Sequence, residues 1–140
     1  MSPNPAAPPV RGIGLLLLVA FVVIASGIGL RDPWPADEPR FALMSKFMLD
    51  SGEWLFLMRG DEPYSDKPPV FMWLQAVAIT LVGGSLRLGF LLPSLVAALG
   101  TLWLVYDLGR RLWTRRVGLW AAWLLLFCLQ FSFQAKRAQI

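Results

Sequence analysis

Between Arg11 and Arg31 the chain runs from Gly12 to Leu30 without a charged residue, in a stretch dominated by Leu, Val and Ile. At about 1.5 Å of rise per residue, a helix over this run is about long enough to cross a hydrocarbon core roughly 30 Å thick. A cleavable signal peptide competes for the same segment, because Arg11 supplies a positive flank and Ala25-Ser26-Gly27 are small. The apolar run exceeds the roughly 7–15 residues of a signal peptide, which favours a retained anchor. The rest of the composition agrees with a lipid-facing surface: 56% of the 140 residues are hydrophobic and 16% charged. A soluble domain carries charge on about a quarter of its residues. The single cysteine, Cys128, excludes a disulfide scaffold, and the absence of histidine excludes His-dependent zinc sites and Ser-His-Asp triads from this stretch.

The net charge of +4 would suit a nucleic-acid partner were it not sharply segregated. Residues 31–69 hold eight of the nine acids against five bases, and four arginines (Arg110, Arg111, Arg115 and Arg116) crowd into seven positions. Segregation of this kind suits a membrane, and the expectation is membrane lipids and no nucleic acid as surroundings. Residues 1–11, with four prolines and no apolar periodicity, are expected to be a disordered tail. Phe41, Met44, Phe47 and Met48 recur at helical spacing, which predicts a short amphipathic helix over 40–50, with Pro39 in its first turn and Ser51-Gly52 ending it. The apolar run 70–82 is too short for a comfortable span and fits an interfacial or re-entrant helix. Residues 88–108, with Pro93 inside, and 117–133 are long enough to cross.

The expected fold is all-α and membrane-integral, with three transmembrane helices (12–30, 88–108, 117–133) and amphipathic juxtamembrane helices in an outer loop, 31–87. Parity sets the orientation. If 70–82 crossed, the acidic loop and the arginine loop would share a side; if it lies in the interface, they face opposite sides. The positive-inside rule assigns the arginines to the cytoplasm, which makes the N-terminus cytoplasmic and the acidic loop periplasmic or extracellular. Three spans are a small core for an independent membrane enzyme, so the chain reads as the N-terminal piece of a larger polytopic protein.

The chemistry must lie in the acidic loop. Asp37-Glu38 pairs two carboxylates, and Tyr64-Ser65-Asp66-Lys67-Pro68-Pro69 gathers a phenol, a carboxylate and an ammonium before two prolines fix the backbone. Carboxylates can accept a proton or hold a divalent cation, and Lys or Arg can neutralise phosphate. Each feature also has a plainer reading. Asp37 or Glu38 can cap the helix that Pro39 begins. Lys67-Pro68-Pro69 can be a rigid interfacial turn, Tyr64 and the tryptophans interfacial anchors, and Cys128 inert packing.

Asp37-Glu38-Pro39-Arg40-Phe41, Ser51-Gly52-Glu53-Trp54 and Tyr64-Ser65-Asp66-Lys67-Pro68-Pro69 resemble the first exoplasmic loop of polyprenyl-phosphate-dependent glycosyltransferases. The likeness is greatest to bacterial 4-amino-4-deoxy-L-arabinose transferases of lipid A, relatives of the protein O-mannosyltransferases. It continues through Arg87, Leu92-Pro93-Ser94-Leu95, Tyr106, Leu108-Gly109-Arg110-Arg111-Leu112 and Arg116-Val117-Gly118 to Gln134-Ala135-Lys136-Arg137-Ala138. The resemblance implies a GT-C-type enzyme of the bacterial inner membrane, inverting at the anomeric carbon. It would move a sugar from a polyprenyl-phosphate donor to a lipid A-like or protein acceptor. By position it makes Asp37 the catalytic or acceptor-positioning carboxylate and Glu38 its neighbour in the motif. Lys67 would bind the donor phosphate, helped by Arg40 and Tyr64. Asp66 stands where the family often has a carboxylate able to meet a divalent metal; no other cofactor is implied. Phe41 replaces a tyrosine common there, and Pro39 a less constrained residue. The rival from another class is a non-enzymatic membrane subunit or transporter fragment whose acidic loop binds ions or a partner. Against it, transporters place essential charges inside their spans, which here are nearly charge-free.

Overall fold

A computed structural model describes residues 11–28, 30, 38–59, 62–65 and 67–138. Residues 1–10 of the expected tail 1–11, the acids Asp32 and Asp61, and the candidate site residues Asp37 and Asp66 lie outside the described residues, whereas Arg11, the last residue of that tail, already begins a helix. Helix α1 (Arg11–Ala25) is followed by α2 (Glu38–Ser51), the strands β1 (Met58–Arg59) and β2 (Glu62–Pro63), α3 (Val70–Leu81), the single turn α4 (Leu86–Gly89), α5 (Leu92–Leu112), α6 (Arg115–Phe127) and α7 (Leu129–Ala135).

The first core lies between α1, α5 and α6. Leu16, Ala20 and Ile24 recur every four residues on α1, and Leu95, Ala98, Leu102 and Tyr106 at three- and four-residue steps on α5, so each forms one stripe. Ala122 and Leu126 of α6 complete the contact. The outward faces stay apolar: Leu18 and Val22 on α1, Val96 and Leu104 on α5, and Trp120 and Leu124 on α6 are all exposed. An apolar surface this extensive suits lipid or further protein rather than water. The α5–α6 hairpin is closed by two glycines. A Cβ on Gly109 would lie 2.5 Å from the Gly118 Cα, and one on Gly118 2.5 Å from the Tyr106 carbonyl oxygen. The Thr114 side chain caps α6 by accepting from the Val117 N–H at 3.2 Å.

The structure moves several expected boundaries. Helix α1 ends at Ala25, short of Leu30, where the Ser26 hydroxyl donates to the Val23 carbonyl and Gly27 takes a φ of +93°. Helix α5 starts later and ends later than expected, so Pro93 sits in the first turn, where its missing N–H costs nothing. The expected span 117–133 is broken. Cys128 is extended, with φ −63° and ψ 116°, and α6 and α7 meet at a 70° bend. The Ser132 hydroxyl donates to the Leu126 carbonyl, one of those released by the break. Among the described residues, the run Leu86–Leu112 is the one helix long and apolar enough to cross a membrane; α6 and α7 supply a second only if the bent pair is one span. Helix α3, with 12 residues, is about 18 Å long, well short of a bilayer core.

A second layer is built from α2 and α3. Phe41, Met44 and Met48 of α2 pack with Met72 of α3 and with Leu57 and Tyr64 from the loop between them. The expected amphipathic helix is present and begins two residues early, at Glu38; Gly52 follows it with a φ of +75°, a left-handed conformation that ends a helix cheaply only at glycine. A small antiparallel pairing, Met58 opposite Pro63 and Arg59 opposite Glu62, departs from the all-α expectation. The layers are joined by Ala42, Phe90, Leu91 and Ala138, which form a third buried cluster.

Candidate functional site

Lys67 and Tyr64 come together beside α2. The Tyr64 N–H donates to the Leu57 carbonyl at 2.7 Å, extending the β1–β2 pairing and seating the phenol ring in the α2–α3 core at 9% exposure. Three residues on, the half-buried Lys67 carries its Nζ to 5.6 Å from the centroid of the Phe41 ring. That distance lets the ring's negative face attract the ammonium. Phe41 is itself 1% exposed and meets Phe71 edge-to-face, with centroids 6.3 Å apart. The Phe for Tyr departure thus falls at a ring enclosed by Lys67 and Phe71. The Trp73 indole N–H donates to the Trp54 carbonyl at 2.6 Å and ties the loop to α3. Tyr64, Ser65, Lys67 and Leu57 line an open cleft of about 330 Å³, floored by Pro68 and Pro69.

Glu38 occupies a different position. It is fully buried in the first turn of α2, and its Oε1 accepts the backbone N–H of Ala138 at 2.8 Å. The paired-carboxylate motif therefore contributes at least one group that holds the segment around Ala138 against α2. Arg40 is partly buried on the same turn. Among the described residues, Asp, Glu and Cys side chains form no group of three able to hold a metal; Asp66, where the divalent ion is expected, lies outside the described residues.

Two polar side chains with no place in the expected site also sit at this junction. Ser45 and Gln75 are both fully buried. The Ser45 hydroxyl lies 2.9 Å from Gln75 Oε1, and Gln75 Nε2 donates to the Phe90 carbonyl at 3.0 Å. Together they lock α2, α3 and the entry to α5 in one register. An isolated glutamine inside an apolar run is the signal that could have marked this lock.

Helical layers stacked on a helix of membrane-crossing length, with a lysine held over an aromatic ring at their edge, are an arrangement that suits a membrane protein. The chain belongs to the dolichyl-phosphate-mannose-protein mannosyltransferase family, whose family model matches residues 66–138. Similar proteins include the undecaprenyl phosphate-alpha-4-amino-4-deoxy-L-arabinose arabinosyl transferases of Shewanella sediminis, 39% identical over 40% of this chain and 10% of that protein, and of Pseudomonas savastanoi pv. phaseolicola, 32% identical over 89% of this chain and 23% of that protein. Another is arabinosyl transferase 2 of Proteus mirabilis, 31% identical over 74% of this chain and 19% of that protein. The matched stretch thus spans less than a quarter of each of these relatives. No solved structure matches the chain.

Proposed function

We propose that this chain forms the first outer loop and flanking helices of a bacterial inner-membrane glycosyltransferase that moves a sugar from a polyprenyl-phosphate donor to a lipid A-like or protein acceptor. The reading takes α1, α5 and the bent α6–α7 pair as membrane crossings, with α2 and α3 on the outer surface and the N-terminus in the cytoplasm. The observation that carries it is the Lys67 ammonium, held over Phe41 at the rim of the cleft it shares with Tyr64. The relatives, each an undecaprenyl phosphate-alpha-4-amino-4-deoxy-L-arabinose arabinosyl transferase, support the donor class.

The reaction is a single displacement. An acceptor oxygen attacks the anomeric carbon from one face while the bond from that carbon to the phosphate oxygen breaks on the other. The polyprenyl phosphate leaves with the electron pair, and Lys67 stabilises the charge that builds on it, with Arg40 as helper. Asp37 takes the proton from a hydroxyl acceptor; if the acceptor is an ionised phosphate, it orients rather than deprotonates. Glu38, its neighbour in the motif, accepts the Ala138 backbone N–H and steadies the start of α2.

Sugar transfer by the full-length protein carrying Lys67→Met tests the reading. The variant keeps the apolar stem against Phe41 and removes the charge. Transfer should fall by roughly 10²–10³-fold, the usual effect of deleting one electrostatic stabiliser of a departing anion. Transfer close to wild type, at normal abundance in the membrane, overturns it.

A further inference from the structure

The four arginines serve the proposed function only as an orientation signal, yet the structure organises three of them around a cavity. Asp107 holds Arg110 and Arg111 together: Arg110 Nε and Nη2 reach Oδ1 at 2.7 and 2.5 Å, and Arg111 Nε reaches Oδ2 at 2.6 Å. Across the hairpin, Arg115 Nε donates to the Tyr106 hydroxyl at 3.1 Å. All three guanidinium groups are therefore fixed through their Nε edge, which leaves terminal N–H groups to present. With Trp103, Tyr106 and Asp107 they line an open cavity of about 750 Å³, to which α1 contributes Ile13. One acid among these four arginines leaves the cluster at +3. Arg115 and Arg116 also stand in the first turn of α6, where the helix dipole disfavours positive charge, so local helix energetics do not explain them.

The position identifies the occupant. Arg110 lies 18 residues beyond Leu92 on one continuous helix, about 27 Å away, and so at the opposite end of α5 from the α2–α3 layer. If α5 crosses the membrane, that is where a headgroup region must lie. Leu104 and Leu108 of α5 and Val117 of α6, on the two helices that carry the arginines, are exposed and give acyl chains an apolar surface, and Trp103 is an aromatic of the interfacial kind. We infer that this cavity binds the phosphodiester headgroup of an anionic glycerophospholipid, held by Arg110, Arg111 and Arg115. The site is distinct from the Lys67 cleft and requires only that α5 spans, not that the protein transfers a sugar.

The experiment is phospholipid retention by the purified full-length protein, read by native mass spectrometry in phosphatidylcholine-containing micelles titrated with phosphatidylglycerol. Phosphatidylglycerol should be retained in preference to phosphatidylcholine. Arg115→Gln should weaken retention about fivefold, the usual effect of one basic charge at a lipid surface. Tyr106→Phe keeps every charge but frees Arg115, and should weaken it about threefold, the scale of one lost hydrogen bond. Arg116→Gln removes the same charge from outside the cavity and should leave retention almost unchanged; at least three arginines remain in every case to preserve orientation. Equal losses in Arg115→Gln and Arg116→Gln would mean a diffuse field and overturn the site, as would equal retention of phosphatidylcholine. Displacement of the lipid by soluble glycerol 3-phosphate at comparable concentration would make the ligand a free phosphate and overturn the lipid assignment. Because retention is read without sugar transfer, its failure leaves the transferase reading standing, and failure of the Lys67 test leaves this one untouched.

Discussion

Glu38 and Ala138 stand one hundred residues apart, and the carboxylate Oε1 of the first accepts the backbone N–H of the second at 2.8 Å inside the protein. Both are fully buried, and Ala138 packs with Ala42 of the helix that Glu38 begins. A motif residue expected to serve the chemistry therefore clasps the last described segment onto α2. Glu38→Ala leaves the Ala138 N–H without this acceptor, at a cost of about 1–3 kcal/mol. Glu38→Gln retains an acceptor oxygen and should cost less than half as much. Thermal unfolding of the two variants in detergent checks this, and an alanine variant as stable as wild type would exclude the clasp. The same pair separates roles: a stable Glu38→Gln protein that has lost transfer would make Glu38 chemical as well.

Helix α2 was legible because its apolar residues repeat at helical spacing between Pro39 and Gly52. Even there, Phe47 is 38% exposed, and Ser45 takes a buried position that its polarity does not suggest. Ser45 can be buried because Gln75 and Phe90 complete its network, and those partners lie 30 and more residues away. The break at Cys128 has no mark at all, since Leu, Phe and Gln flank it without proline or glycine. The Glu38–Ala138 clasp was equally hidden, because periodicity reports which face a residue occupies and not what meets it. The lysine and tyrosine of the cleft were legible as a cluster only because two prolines and six consecutive positions hold them together in the chain.

The α5–α6 hairpin offers a sharp packing test. Gly109 and Gly118 bring the helix backbones to a separation that admits no side chain, with a Cβ on Gly109 only 2.5 Å from the opposing Cα. Gly109→Ala must push the helices apart and should destabilise by roughly 1–3 kcal/mol, the usual cost of overpacking. Gly100, in the same helix, would place a Cβ in open space. Gly100→Ala should be neutral or stabilising by up to about 1 kcal/mol through helix propensity. Unfolding measured on both variants decides it; the opposite order of stabilities would refute the close approach.

Orientation can be read by labelling. The exposed Cys128 is first replaced by serine. Ser65→Cys in the outer loop should then react with a membrane-impermeant thiol reagent added from outside, and Trp113→Cys in the arginine loop should not. Both positions are exposed, and Trp113 is chosen because Thr114 caps α6. Labelling of both from one side would mean that α3 crosses the bilayer after all, which would place the Lys67 cleft and the arginines on the same face.

Asp37 carries the largest stake in the mechanism and has a plain structural competitor, because it immediately precedes the first residue of α2. Asparagine is about as good a helix N-cap as aspartate, so Asp37→Asn leaves a purely capping role nearly intact. It removes the negative charge and the basicity, so a carboxylate that takes a proton should lose activity by roughly 10²–10⁴-fold. Asp37→Ala removes both functions and cannot separate them, though its loss of stability, about 1 kcal/mol if the residue caps, calibrates the structural share. The measurement is sugar transfer by the full-length protein, normalised to its abundance in the membrane and made alongside Lys67→Met. A deep loss in Asp37→Asn at normal abundance supports the catalytic carboxylate. Near-normal transfer in Asp37→Asn together with a deep loss in Lys67→Met would keep the phosphate site and reduce Asp37 to a cap, shifting the search for the base to Glu38 or to a carboxylate elsewhere in the full-length protein.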